Sequence, residues 1–153
     1  DPDIKHLYSL FTSEENASVV FTAEYFERLG QEQPTQGPFR TLFILEDGEP
    51  IGEAKFETDP PKLVTREPHT AWLALMIGEA RCRGRGLAAS VVAHLEGLAA
   101  ASGAQRVEVG IFGYNERSLR LFEKQGYEEF ARRPERIWWN GRMWEDVRLL
   151  KTL

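Results

Sequence analysis

Three arginines and two glycines fall within the six residues Arg81-Cys82-Arg83-Gly84-Arg85-Gly86. The run sits between an apolar stretch ending near Ile77 and a helical pattern beginning near Leu87. The first turn of a helix leaves backbone N–H groups without partners and carries about half a positive charge, so an anion is favoured there. Glycine at 84 and 86 removes the side chains that would keep a phosphate or pyrophosphate from those N–H groups. Three arginines add positive charge where the dipole already points, in a chain whose net charge is −5. The alternative is a solvated basic turn, and the flanking strand and helix weigh against it. Cys82 lies among the arginines, but a covalent role for it lacks a partnered base.

The elements that must position this loop follow from periodicity. Ala71–Ile77 reads as a buried strand. Leu87, Val91, Val92, Leu95 and Leu98 form the inner stripe of a long helix ending near Ser102-Gly103. Arg106–Phe112 is the next strand, and a right-handed crossover makes it parallel to the first. Asn115 opens a further helix as its N-cap, Leu119 and Phe122 face inward, and Gly126 suits the left-handed position that ends it. Upstream, Phe39–Leu45 and Pro50–Phe56 flank Glu46-Asp47-Gly48-Glu49 and read as an antiparallel hairpin. The segment from Asp59 to Pro68 is a loop. Tyr127–Ala131, Ile137–Trp139 and Trp144–Leu150 are strand material, with Asn140-Gly141 as a turn. Between Asp3 and Gln33, Leu7, Leu10 and Phe11, then Phe21, Tyr25, Phe26 and Leu29, recur at helical spacing and predict two opening helices.

Composition narrows the classes. A length of 153 residues with 42% hydrophobic residues suits one core, so a single domain over 1–153 is expected. No apolar run reaches the roughly 20 residues of a membrane span. The opening residues Asp1 to His6 lack the pattern of a secretion signal, which makes the cytoplasm the expected compartment. A single cysteine and three scattered histidines imply no structural metal. The acidic balance, with a pI near 5.3, disfavours general binding to nucleic acid or anionic lipid.

A dinucleotide fold is one rival, since Gly84-x-Gly86-x-x-Ala89 loosely fits that fingerprint and Glu108 lies near the distance of a ribose-binding acid. Its glycines should follow the strand at once, whereas Gly78 to Arg83 intervene. Only one crossover unit is found where that fold needs several.

Arg81, Gly84 and Gly86 match the Gln/Arg-x-x-Gly-x-Gly/Ala cofactor loop of the GNAT superfamily, which this chain resembles. The block from Asn115 to Tyr127 is similar to the second motif of that family, and the resemblance covers about Phe39 to Leu150. It implies a mixed α/β fold with a mostly antiparallel sheet and one parallel pair splayed to hold acyl-CoA. It further implies that backbone groups of Leu75, Met76 and Ile77 pair with the pantetheine arm. Residues 81 to 88, namely Arg81, Cys82, Arg83, Gly84, Arg85, Gly86, Leu87 and Ala88, would hold the pyrophosphate. A strand N–H near Met76 would stabilise the oxyanion. Asn115 and Ser118 become candidates to touch the cofactor's arm, beside the plainer reading of helix capping. Phe122 stands at the aligned position of a tyrosine that protonates sulfur in many members. It is read as core, and its place in the motif also puts it among candidate cofactor contacts.

Direct transfer of an acetyl group from acetyl-CoA to a primary amine is the implied reaction, with a small amine, an amino acid or a protein N-terminus as acceptor. Tyr114 or Tyr127 would have to replace the missing tyrosine if an acid is needed. A thiol with a pKa of about 8.5 can also leave unaided beside a helix N-terminus. Trp72 stands where similar sequences often carry glutamate, which leaves Glu53, Glu57 and Glu108 as candidate bases, against the reading that they are solvated strand residues. Without a strong base, an α-amino group, pKa about 7.7 to 8.0, is easier to use than a lysine side chain at about 10.4. Trp138, Trp139 and Trp144 are read as acceptor pocket, homodimer seam or sheet packing. His69 is read as a turn residue and His94 as a helix-surface one. The contrasting expectation is a CoA-binding regulatory module with weak catalysis.

Overall fold

The computed structural model describes residues 39–46, 49–78, 84 and 86–153. The two opening helices and the Asp47-Gly48 turn expected from the sequence lie outside them. Among the described residues the elements are β1 (Phe39–Glu46), β2 (Glu49–Thr58), β3 (Thr70–Ile77), α1 (Leu87–Ala101), β4 (Arg106–Phe112), α2 (Glu116–Lys124), β5 (Glu128–Trp139) and β6 (Arg142–Thr152). The strands form a six-stranded sheet in the order β1-β2-β3-β4-β6-β5.

Every neighbouring pair is antiparallel except β3 and β4. That parallel ladder has three rungs, Thr70 with Arg106, Ala71 with Val107 and Trp72 with Glu108. β3 runs on to Ile77 and β4 to Phe112, so the two strands part beyond Trp72 and Glu108. This is the splay expected around one parallel pair.

Alternation divides the sheet into two faces. On one, Phe56, Leu73, Val107, Val109, Val147 and Leu149 are buried against Val92, Leu95 and Ala99 of α1. Tyr127 locks this layer: its hydroxyl donates to Glu96 Oε1 at 2.9 Å, and Lys151 Nζ reaches the same carboxylate at 3.0 Å. The other face carries Glu53, Trp72, Met76, Glu108, Asp146 and Arg148.

Both helices stop for a stated reason. After α1, Gly103 takes φ +94, its N–H reaches Ala100 O and Ala104 N–H reaches Ala99 O. After α2, Gly126 takes φ +91, its N–H reaches Glu123 O and Tyr127 N–H reaches Phe122 O. A left-handed residue here lets the chain reverse while the last carbonyls stay bonded, and an apolar contact across the motif completes it. Phe122 and Tyr127 make that contact, with ring centroids 5.0 Å apart.

Two expectations need correction. β5 is continuous from Glu128 to Trp139 rather than two pieces. The charged run Arg132–Arg136 with Pro134 interrupts the ladder between Arg133 and Ile137 but does not end the strand. An edge strand has one unpaired side and so tolerates proline and charge. β6 begins at Arg142, two residues before the Trp144 expected, because the turn at Asn140 and Gly141 pairs Trp139 with Arg142 at once.

Candidate active site

The splay opens between the outgoing ends of β3 and β4, and α1 is the element that follows β3 in the chain. At the start of α1, Gly86 is the N-cap residue with φ +76, and no side chain caps the helix. Gly84 has φ +74. A Cβ built at either would meet nothing within 4 Å, so glycine is required by backbone conformation rather than by crowding. The first turn of α1 holds no acidic residue, so no carboxylate of that turn offsets its dipole. Leu87 and Ala88 open that turn. Arg81, Cys82, Arg83 and Arg85 lie outside the described residues.

Leu75 and Met76 stand on β3 past the last rung with β4, opposite Ala54 and Glu53 of β2. Ile77 follows, opposite Gly52. A Cβ at Gly52 would collide with the carbonyl oxygen of Met76, so only glycine permits β2 to approach β3 here.

Asn115 caps α2: its side chain accepts from Ser118 N–H at 3.2 Å. Phe122 is 4% exposed and packs edge-on against Tyr127, a core position. Tyr127, the other tyrosine weighed as a substitute acid, is bonded elsewhere. Its hydroxyl is buried and committed to Glu96, and desolvation together with that carboxylate pushes its pKa well up. Tyr114 is half-buried against Phe112, Trp139 and Trp144 at centroid distances of 6.0, 5.5 and 5.8 Å. Burial raises its pKa as well.

The tryptophans separate. Trp139 and Trp144 share the aromatic cluster with Tyr114, and Trp144 Nε1 donates to Trp139 O at 2.8 Å. Trp138 points to the other face, 64% exposed and paired across the hairpin with Met143. His69, at φ +58 in a turn, and His94, exposed on α1, have the unremarkable places expected of them.

Glu108 is not a solvated strand residue, and its carboxylate is committed to other groups. It is fully buried and accepts from Val64 N–H at 2.9 Å, Thr65 N–H at 2.8 Å and Arg148 Nη1 at 2.9 Å. Arg148 also donates to Asp146, which Arg133 holds from β5. With its lone pairs on three donors, the Glu108 carboxylate is a structural hub. The signal missed in the sequence was Arg148, forty residues away and at the matching phase of β6. Trp72 extends from the last rung across β4. Its ring tip would lie 2.7 Å from a Cβ on Gly110, and Lys62 and Arg148 sit 5.0 and 4.8 Å from its ring centroid. Glu57 is paired with Lys62 at 3.0 Å. Glu53 is 8% exposed, and desolvation raises its pKa against a smaller opposing effect of Lys55.

The acetyltransferase (GNAT) family model matches residues 3–127, most of the chain. The chain belongs to this GNAT family. Membership excludes the dinucleotide reading, in line with a sheet that has a single parallel pair among the described residues. YwnH of Bacillus subtilis (strain 168), named provisionally as a phosphinothricin acetyltransferase, is 33% identical over 97 residues, 62% of this chain and 58% of that protein. The chain therefore spans less than two thirds of this relative's length. A crystal structure described provisionally as a phosphinothricin N-acetyltransferase superposes with a TM-score of 0.76 at 24% identity, covering 99% of this chain and 93% of that one. The yncA acetyltransferase of Salmonella typhimurium, solved with its cofactor acetyl-CoA, gives 0.69 at 16% identity, covering 99% and 86%. At these identities the two structures speak for the GNAT fold. No described helix is long and apolar enough to cross a membrane.

Proposed function

We propose that this GNAT member, acting as a single domain over residues 1–153, moves an acetyl group from acetyl-CoA directly to a primary amine. The observation that carries the reading is the three-rung parallel ladder, which opens beyond Trp72 and Glu108 beside a helix whose start is built on two left-handed glycines. The pyrophosphate would lie on residues 81 to 88, with Gly84 and Gly86 admitting it to the N–H groups of Leu87 and Ala88 and the arginines adding charge. The pantetheine would run along Leu75, Met76 and Ile77, and an N–H near Met76 would hold the oxyanion. Asn115 Oδ1 already serves the helix cap, so any contact with the cofactor's arm falls to the amide nitrogen or to Ser118. Tyr114 is the remaining candidate to protonate the sulfur.

The acceptor is read as a small amine, an amino acid or a protein N-terminus, in the cytoplasm and without a metal. The names of the relatives, which refer to acetylation of phosphinothricin, support a small acceptor. The exposed Trp138 and Met143 are what a homodimer would use. A second reading, a CoA-binding module with weak catalysis, is favoured by the buried Phe122 and by Trp72 in place of an acid.

Thermal stability with acetyl-CoA, CoA and NAD tests the site, because a ligand bound by the folded state alone raises Tm with concentration. Acetyl-CoA is expected to stabilise and NAD to have no effect. Gly84→Glu, which adds charge and a side chain at positive φ, is expected to abolish the shift. Acceptor-dependent thiol release separates the enzyme from the binding module.

A further inference from the structure

The strands that flank the splay hold few acids able to accept a proton. β3, Thr70–Ile77, contains none. On β4, Glu108 is the single acid, and three donors occupy it. Three acids are buried among the described residues: Glu53, Glu108 and Asp146. Asp146 is held by Arg133 and Arg148. Glu53 has no hydrogen bond or ion pair among the described residues. Its register partner on β3 is Met76, and directly opposite residues project from the same face. Neighbouring strands lie about 4.8 Å apart, which puts the Glu53 carboxylate one strand from the point where an acceptor amine would meet the thioester.

We propose that Glu53 is the general base, taking the proton of the acceptor amine directly or through one water. This rests on the acetyltransferase reading. The incoming ammonium gives one proton to Glu53. The neutral amine then attacks the thioester carbon and forms the C–N bond. As the tetrahedral intermediate collapses and the C–S bond breaks, Tyr114 gives its proton to the departing sulfur, and the second nitrogen proton restores the phenol. Glu53 releases its proton to solvent and is reset.

The electrostatic setting agrees. Burial outweighs Lys55, the charged neighbour on the same strand, and raises the carboxyl pKa, which makes the anion a stronger base. Across the ladder with β3 its partner is the uncharged Met76. α1, which packs on β2 and β3, carries His94 and Glu96 on the opposite side of the sheet.

The test uses the full chain, acetyl-CoA, and a panel of L-amino acids, a short peptide with a free N-terminus and spermidine. With the best acceptor, Glu53→Gln is expected to lower kcat/KM about 100-fold. The ascending acid limb of the pH profile should disappear, and acetyl-CoA affinity should stay within about twofold, the signature of a proton-transfer rather than a binding role. Glu53→Asp should restore part of the rate and the limb. Glu53→Gln should also raise Tm at pH 7, by about 2 °C or more, because it removes a buried charge that has no partner among the described residues. A merely structural carboxylate would lose stability on the same change. A variant keeping more than half the wild-type rate with an unaltered pH profile, or one that loses both rate and Tm, overturns the assignment and leaves the acetyltransferase reading intact. Failure of the wild-type chain to acetylate every acceptor overturns both.

Discussion

Glu53 on β2 and Glu108 on β4 stand on either side of β3, project from the same sheet face and are both buried, yet their surroundings differ in kind. Glu108 gathers two loop amides and a guanidinium. Glu53 gathers none among the described residues. A buried carboxylate that is fully hydrogen-bonded contributes to stability, whereas one that is desolvated without a partner costs stability and gains basicity. The same residue type, buried two strands apart, therefore serves structure in one place and, on the proposal above, chemistry in the other.

The contrast is broken most forcefully at the hub. Glu108→Ala leaves Arg148 charged, buried and short of a partner, for which a loss of about 3–5 kcal/mol is expected. Urea unfolding measures it, and a loss below about 1 kcal/mol would mean that the network is ornamental. The next effect concerns the ring beside the hub. Gly110→Ala drives a methyl into Trp72, whose ring tip is hemmed by Arg148 and Lys62, and about 1–3 kcal/mol should be lost. Trp72→Phe in the same chain should return a large part, and additive losses in the double-mutant cycle would show that the two do not meet.

The smallest effect sharpens the Glu53 side. Its folded pKa is raised above the ordinary value of 4.5, so folding binds the proton more tightly than the unfolded chain does. Stability linked to that proton is fully present below the unfolded pKa and is lost as pH rises through the folded one. The Tm of Glu53→Gln relative to wild type should therefore climb across that window and level off above it. A difference that is flat in pH would show that the carboxyl is not perturbed.

Much of the scaffold was legible because local chemistry decides it. The Asn115 cap, the end of α1 near Gly103, the left-handed Gly126, the inner stripe of α1 and the glycines at 84 and 86 each follow from a few neighbouring residues. The sheet and its one parallel pair followed from alternation and a single crossover. What escaped was non-local. Nothing near Glu108 in the chain announces Arg148 or the amides of Val64 and Thr65, so a solvated strand glutamate was the natural expectation. Tyr127 looked available until Glu96, thirty-one residues earlier, claimed its hydroxyl. The run Arg132 to Arg136 reads as loop by composition and becomes strand because β6 offers it one side of a ladder. The GNAT motifs marked where a cofactor would bind, but they carried little about the base, since that choice depends on which acids the fold leaves unpaired.

The grip of Glu108 on Val64 and Thr65 also bears on motion. The 59–69 segment has the composition of a mobile connection, yet two of its amides are bonded to a side chain rooted in the middle of the sheet, and Arg148 Nη1 holds Lys62 O at 3.1 Å. Opening that segment requires breaking the hub, so its opening free energy is tied to that of the central strands rather than to that of a surface loop. In kinetic terms the segment is part of the frame and not a gate.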